Sequence, residues 1–267
     1  MAQEKWLIDS AKVIDLDGVR NLKVGLVAGQ VNIIGHDEPG TRVEIHSVSG
    51  RELKVSIDGD TLEIDHPQLR WDNFIEVFRS FTDAKARADI SITVPREVAL
   101  KFGVVSASAL ISGLTGTSSI STVNGDLVID GLTGSTQLNG VNGEIAVRDH
   151  QGAITVNTIA GDITVSGEIT KLTADTVAGD VFADISGVPD EVRVNTVSGS
   201  ITMRLAADVP AHYKINTVSG RLQLDDSTIT GVRGAYTGKF GTLDKRWVEF
   251  KANTVSGNVS VMHAVTA

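Results

Sequence analysis

Four acidic residues, Asp126, Glu144, Asp162 and Asp180, each directly follow a glycine and stand 18 residues apart. If one turn of the chain takes 18 residues, stacked turns bring these carboxylates to about 5 Å from one another. Two unit charges at that distance repel by about 0.8 kcal/mol in bulk water and by several times more where water is excluded. Such a column could recruit a divalent cation. It could also serve as the carboxylate pair of a retaining glycosidase, whose carboxyl groups lie about 5 to 5.5 Å apart. Left in water, the same four residues are solvated turn positions.

Little else is spaced for chemistry. His36, His46, His66, His150, His212 and His263 show no metal-ligand spacing, and the absence of cysteine removes thiolate sites. Serine recurs as VSG, but neither GxSxG nor GxxxxGK[ST] occurs. NVS at Asn258 matches a glycosylation sequon but falls in an expected strand. No catalytic residue, cofactor or metal site is therefore assigned. The net charge of -9 argues against nucleic-acid binding, which needs clustered Lys and Arg, and residues 104 to 224 carry 12 acidic against 6 basic side chains.

Two segments gather aromatic side chains. HPQLRWDNFIEVFRSF, residues 66 to 81, sets Trp71, Phe74, Phe78 and Phe81 at helical spacing. A short helix near 69 to 81 is expected there, as an end cap or as an apolar docking face. GVRGAYTGKFGTLDKRWVEFK, residues 231 to 251, combines glycines with Arg233, Tyr236, Lys239, Phe240, Lys245, Arg246 and Trp247. That is the composition of an interaction surface, and equally of an ordinary insertion with a solvated rim.

What must position all these residues is a repeat. Small residues fall nine apart at Ala107, Gly116, Gly125, Gly134, Gly143, Gly152, Gly161, Thr170 and Gly179. Each nonapeptide, counted from Val104, reads outward, inward, outward, Gly, outward, inward, outward, inward, outward. Its sixth and eighth positions, such as Ile163 and Val165, form the core. Versions ending TVNG, GVNG, TIAG and TVAG alternate with LTG and HQG versions, so the full period is 18 residues with two unlike strands. The expected fold is all-β: a two-sided parallel β-solenoid with 18-residue coils, rungs about 4.8 Å apart, and one short helix in the N-terminal cap region. An antiparallel meander is the alternative. The expected parts are a strand-rich region at 1–103, regular coils at 104–224, and an insertion with a final coil at 225–267, the extra residues looping out from an unbroken coil. The pentapeptide NTVSG, at 195, 216 and 253 in the spaced form Asn-Thr-Val-Ser-Gly, reads as a turn ladder rather than a row of ligand sites.

Repeats of this form, preceded by ISITVPREVALKF and by VGLVAGQVNIIGHDEPGTRVEIHS, resemble the bacterial toast-rack β-strand-repeat family, often labelled candidate adhesins. The resemblance covers nearly the whole chain. It implies a connection with the cell envelope, through stress systems and membrane-anchored partners. The resulting expectation is a non-enzymatic scaffold or binding module with a protein or envelope partner. A carbohydrate-active or cation-binding protein and a homo-oligomer joined through solenoid edges are the alternatives. The opening MAQEKWLIDSAKVIDLDG lacks a basic start followed by an apolar core, and no window reaches about 18 apolar residues. The expected location is cytoplasmic, with peripheral membrane contact as the alternative.

Overall fold

The computed structural model describes residues 4–66, 86–230 and 234–264. Among them the fold is all-β and β-solenoid-like, with no helix. The helix expected near 69–81, with Trp71, Phe74, Phe78 and Phe81, lies outside the described residues. The chain forms two compact units, Met1–Thr133 and Gly134–Ala267.

The first unit holds β1 (Glu4–Ile8), β2 (Lys12–Asp17), β3 (Asn21–His36), β4 (Gly40–Ser49), β5 (Leu53–Asp58), β6 (Thr61–Asp65), β7 (Arg87–Pro95), β8 (Ala99–Ser112), β9 (Thr115–Asn124) and β10 (Leu127–Asp130). Strand β3 lies between two neighbours: β8 pairs along one side of it, and β6 and β7 pair along the other, all parallel. Strands β5 and β4 then cover β6 and β7 in antiparallel register, and β1 and β2 lie outside them. An open parallel edge would invite another chain, and these antiparallel strands occupy it.

The second unit follows from β11 (Thr133–Asn139), with β12 (Ile145–Asn157), β13 (Ile163–Ala178), β14 (Val181–Ile185), β15 (Glu191–Ser198), β16 (Ile201–Leu205), β17 (Ala211–Ser219), β18 (Leu222–Leu224), β19 (Ser227–Ile229), β20 (Gly234–Phe240), β21 (Val248–Ser256) and β22 (Val259–His263). Ile145 pairs with Ile163 and Asn157 with Asp175, both parallel and 18 residues on. All the sixth and eighth positions from Ala109 to Ala183 are buried, including the polar Ser118 and Thr136. Each Val, Leu or Ile among them contributes about 1.5 to 3 kcal/mol on leaving water, which is what holds so thin a core together.

The coil is not unbroken. After β16 the chain leaves its expected place: β21 pairs with β15 on one side and β17 on the other, while β22 lies between β16 and β18. The last coil in sequence is thus wedged one rung inside the stack. The chain reaches it through 225–247, where β19 and β20 run back antiparallel over β18 and β17. Tyr213 of β17 meets Phe250 of β21 edge to face within this wedge, at 6.4 Å between centroids.

Candidate binding face

The pentapeptide forms the corner of each coil in the second unit. Its asparagines make a ladder: Asn157 Nδ2 donates to Asn139 at 3.0 Å, Asn195 to Asp175 at 2.5 Å, Asn253 to Asn195 at 2.6 Å and Asn216 to Asn253 at 2.7 Å. This is the turn ladder expected from the sequence, in the wedged rung order.

The next two letters overturn the expected pattern, which put Thr outward and Val inward. Thr158, Thr176, Thr196, Thr217 and Thr254 are buried, whereas Ile159, Val177, Val197, Val218 and Val255 are 48 to 63% exposed. The incoming strand carries its alternation through to the threonine, so Leu172, Ala174 and Thr176 all face inward, and the corner begins only after that. Thr158 and Thr176 point their hydroxyls toward the carbonyls of Ala160 and Ala178, at 3.5 and 3.4 Å, a bond valine cannot make.

The alternation that turns these valines out also aligns everything upstream of them. Register places Lys171, Glu191, Glu249, His212 and Lys239 in one row across β13, β15, β21, β17 and β20; Thr173, Arg193, Lys251, Lys214 and Thr237 form the next. Asp175, Asn195, Asn253, Asn216 and Ala235 form the third row, and the valines the fourth. One flat face thus grades from charged to apolar. Five cations stand on it against Glu191, Glu249 and Asp175. Glu191 is held by Lys251 at 2.7 Å and Lys171 at 3.3 Å; the Lys251 hydrogen bond leads in keeping its carboxyl below the usual range. Burial pushes Glu249 the other way, but hydrogen bonds from Lys214 and His212, at 2.7 and 2.9 Å, hold it low. Arg193 and Lys239 are exposed. A shallow cavity of about 280 Å³ runs between the last two rows, lined among others by Asn195, Val197, Val218, Asn253 and Val255.

Two members of the acidic column serve the backbone. The Asp162 carboxylate accepts the N–H of Asp180 at 2.8 Å, and Asp180 accepts that of Ser200 at 2.7 Å. Asn258, in the same position of the wedged coil, accepts the N–H of Arg221 at 3.0 Å. Glu144 lies at the corresponding corner one coil earlier; Asp126 belongs to the first unit, where its carbonyl accepts the Ala109 N–H at 3.1 Å. Among the described residues no group of three or more His, Asp or Glu is placed to hold a metal ion.

The aromatic and basic segment is dispersed. Tyr236, Lys239 and Phe240 lie on β20, with Phe240 stacked on His263 at 3.7 Å. Arg246 donates to the carbonyl of Val188 at 2.9 Å, Trp247 and Lys245 are exposed, and Arg233 lies outside the described residues. Sequence reasoning passed over Lys171, Arg193 and Lys214, while Lys251 closes the basic segment it singled out. The only signal of the first three was an odd-numbered offset from the buried residues of three strands distant in the chain.

A family model described as Toastrack DUF4097 matches residues 19–262. The chain belongs to this family. Among solved structures, the Toastrack chain is similar to a candidate adhesin from Bacteroides fragilis, at 13% identity over 95% of this chain and 99% of that one, with a TM-score of 0.52. It is also similar to a candidate lipid-binding protein from Parabacteroides distasonis, at 11% identity over 94% and 96%, again with a TM-score of 0.52. These likenesses show a shared fold. No curated protein matches the chain. No helix among its described residues is long and apolar enough to cross a membrane.

Proposed function

We propose that this chain is a non-enzymatic, two-sided β-solenoid that acts as a rigid binding module at the cell envelope, from the cytoplasmic side. The observation that carries the reading is the use made of the carboxylate column. Asp162 and Asp180 each take a backbone N–H from the next rung, so the groups best spaced for hydrolysis or cation binding instead join one coil to the next. The asparagine ladder is committed in the same way. What remains for a partner is the graded outer face. The adhesin and lipid-binding labels of the structural relatives agree with a surface that binds. The test is purified chain against a polysaccharide panel, and its melting temperature with and without calcium. Neither turnover nor a calcium shift is expected, and either one overturns the reading.

A further inference from the structure

We infer that the outer face of β13, β15, β21, β17 and β20 docks on the surface of an anionic phospholipid bilayer. The inference rests on reading the chain as a binding module and names the chemistry of its partner. The charge of the face is opposite to that of the chain: five cations gather here on a protein of net charge -9. Both glutamates at its centre are already neutralised by neighbouring Lys or His, which leaves Arg193 and Lys239 exposed toward an outside anion. Juxtamembrane cations of this kind add roughly 1 kcal/mol each near an anionic leaflet.

The fourth row decides between anionic partners. Ile159, Val177, Val197, Val255 and Val218 form an aliphatic stripe roughly 20 Å long at a spacing of about 4.8 Å. An acidic polypeptide or polysaccharide would use the cationic rows and leave this stripe in water. A bilayer offers phosphates and, a few ångströms below, hydrocarbon, so it satisfies both parts of the gradient at once. The rungs of β13, β15, β21 and β17 also each end in an outward valine after an Asp or Asn. A uniform face fits a uniform planar partner better than it fits one unique sequence.

Co-sedimentation with vesicles tests this, using phosphatidylcholine alone and phosphatidylcholine mixed with phosphatidylglycerol. Pelleting is expected only with phosphatidylglycerol, weakening as salt is raised. Arg193→Glu with Lys239→Glu should reduce it on the order of 1000-fold, because reversing two cations changes the charge of the face by four units. Val197→Ser with Val218→Ser should reduce it about fivefold while leaving the salt dependence in place. Met262→Glu, on the opposite face, should change nothing, and melting curves establish that every variant is folded. Equal pelleting on both vesicles, indifference to the charge reversal, or capture by immobilised polyglutamate without pelleting on vesicles overturns the inference. Those outcomes leave the binding-module reading intact, whereas polysaccharide turnover would sink that reading whatever the vesicles show.

Discussion

Gly257 lies directly over the carbonyl oxygen of Gly199, although β16 to β21 separate them along the chain. A Cβ on Gly257 would fall 1.9 Å from that oxygen, and one on Gly220 would fall 2.0 Å from the oxygen of Gly257. The corner glycines are therefore contacts between rungs as much as turn residues. Gly161, with φ +128° and the Gly143 oxygen 2.0 Å from its Cβ position, has nowhere to put a methyl group. Gly131, at φ +62°, has open space. Gly161→Ala should lose on the order of 3 kcal/mol or more in urea unfolding, and Gly131→Ala about 1 kcal/mol from backbone strain alone. Equal losses would show that rung contact contributes nothing.

The carboxylate column gives a second contrast. Asn258 already performs the acceptor role with an amide oxygen. Asp162→Asn should therefore be neutral within about 0.5 kcal/mol, while Asp162→Ala should cost about 1 kcal/mol by orphaning the Asp180 N–H. Equal effects of the two substitutions on the melting temperature would exclude the hydrogen-bond role.

Coils should be removable in whole units. Deleting Asp162 to Gly179 takes out one 18-residue turn and rejoins Gly161 to Asp180 in phase, so circular dichroism and cooperative melting should persist. Deleting only Asp162 to Thr170 stacks unlike strands and should abolish cooperative melting. Similar behaviour of the two deletions would rule out the two-strand coil.

His66 supplies a pH dependence. Its side chain is buried, its Nδ1 accepts the Val27 N–H at 3.2 Å, and burial, with Arg51 adding to it, lowers its pKa to about 4 from an ordinary 6.5. Between those values the unfolded chain binds more protons than the folded one. Stability from this group is complete above about pH 6.5, declines as pH falls, and is gone near pH 4, a difference on the order of 3 kcal/mol. His66→Gln keeps an acceptor for Val27 and removes the titration. Urea midpoints at pH 7 and pH 4.5 should therefore converge more in the variant than in the parent. An identical pH slope in both would show that His66 does not contribute.

The core was legible in the sequence because it follows period two from each glycine: Ile163 and Val165 are buried where the nonapeptide put them. The 18-residue period was legible too, since Ile145 pairs with Ile163. Rung order was not. NTVSG ends at Gly199, Gly220 and Gly257 with the same five letters, so nothing local distinguishes a coil that stacks in turn from one that is wedged. The facing of Thr176 and Val177 was also hidden. The two side chains are nearly isosteric, and the phase is set by the strand arriving at the corner rather than by the glycine leaving it. The cationic face could not be read because Lys171, Arg193, Lys214, Lys239 and Lys251 come together only through that pairing.

The wedged coil has a consequence for synthesis. A ribosome delivers β17 and β18 before β21 and β22, and at about 5 to 20 residues per second the interval lasts several seconds. Throughout that time β17 can settle on β15, Asn on Asn and Gly on Gly, in a stack ordered by birth that differs from the native one by a missing layer. The last residues to emerge must prise that stack apart or arrive before it closes. Shortening the 225–247 connection should favour the premature product. A stop codon before Val248 should leave it as the end state: a shorter, well-formed solenoid lacking one rung of the outer face.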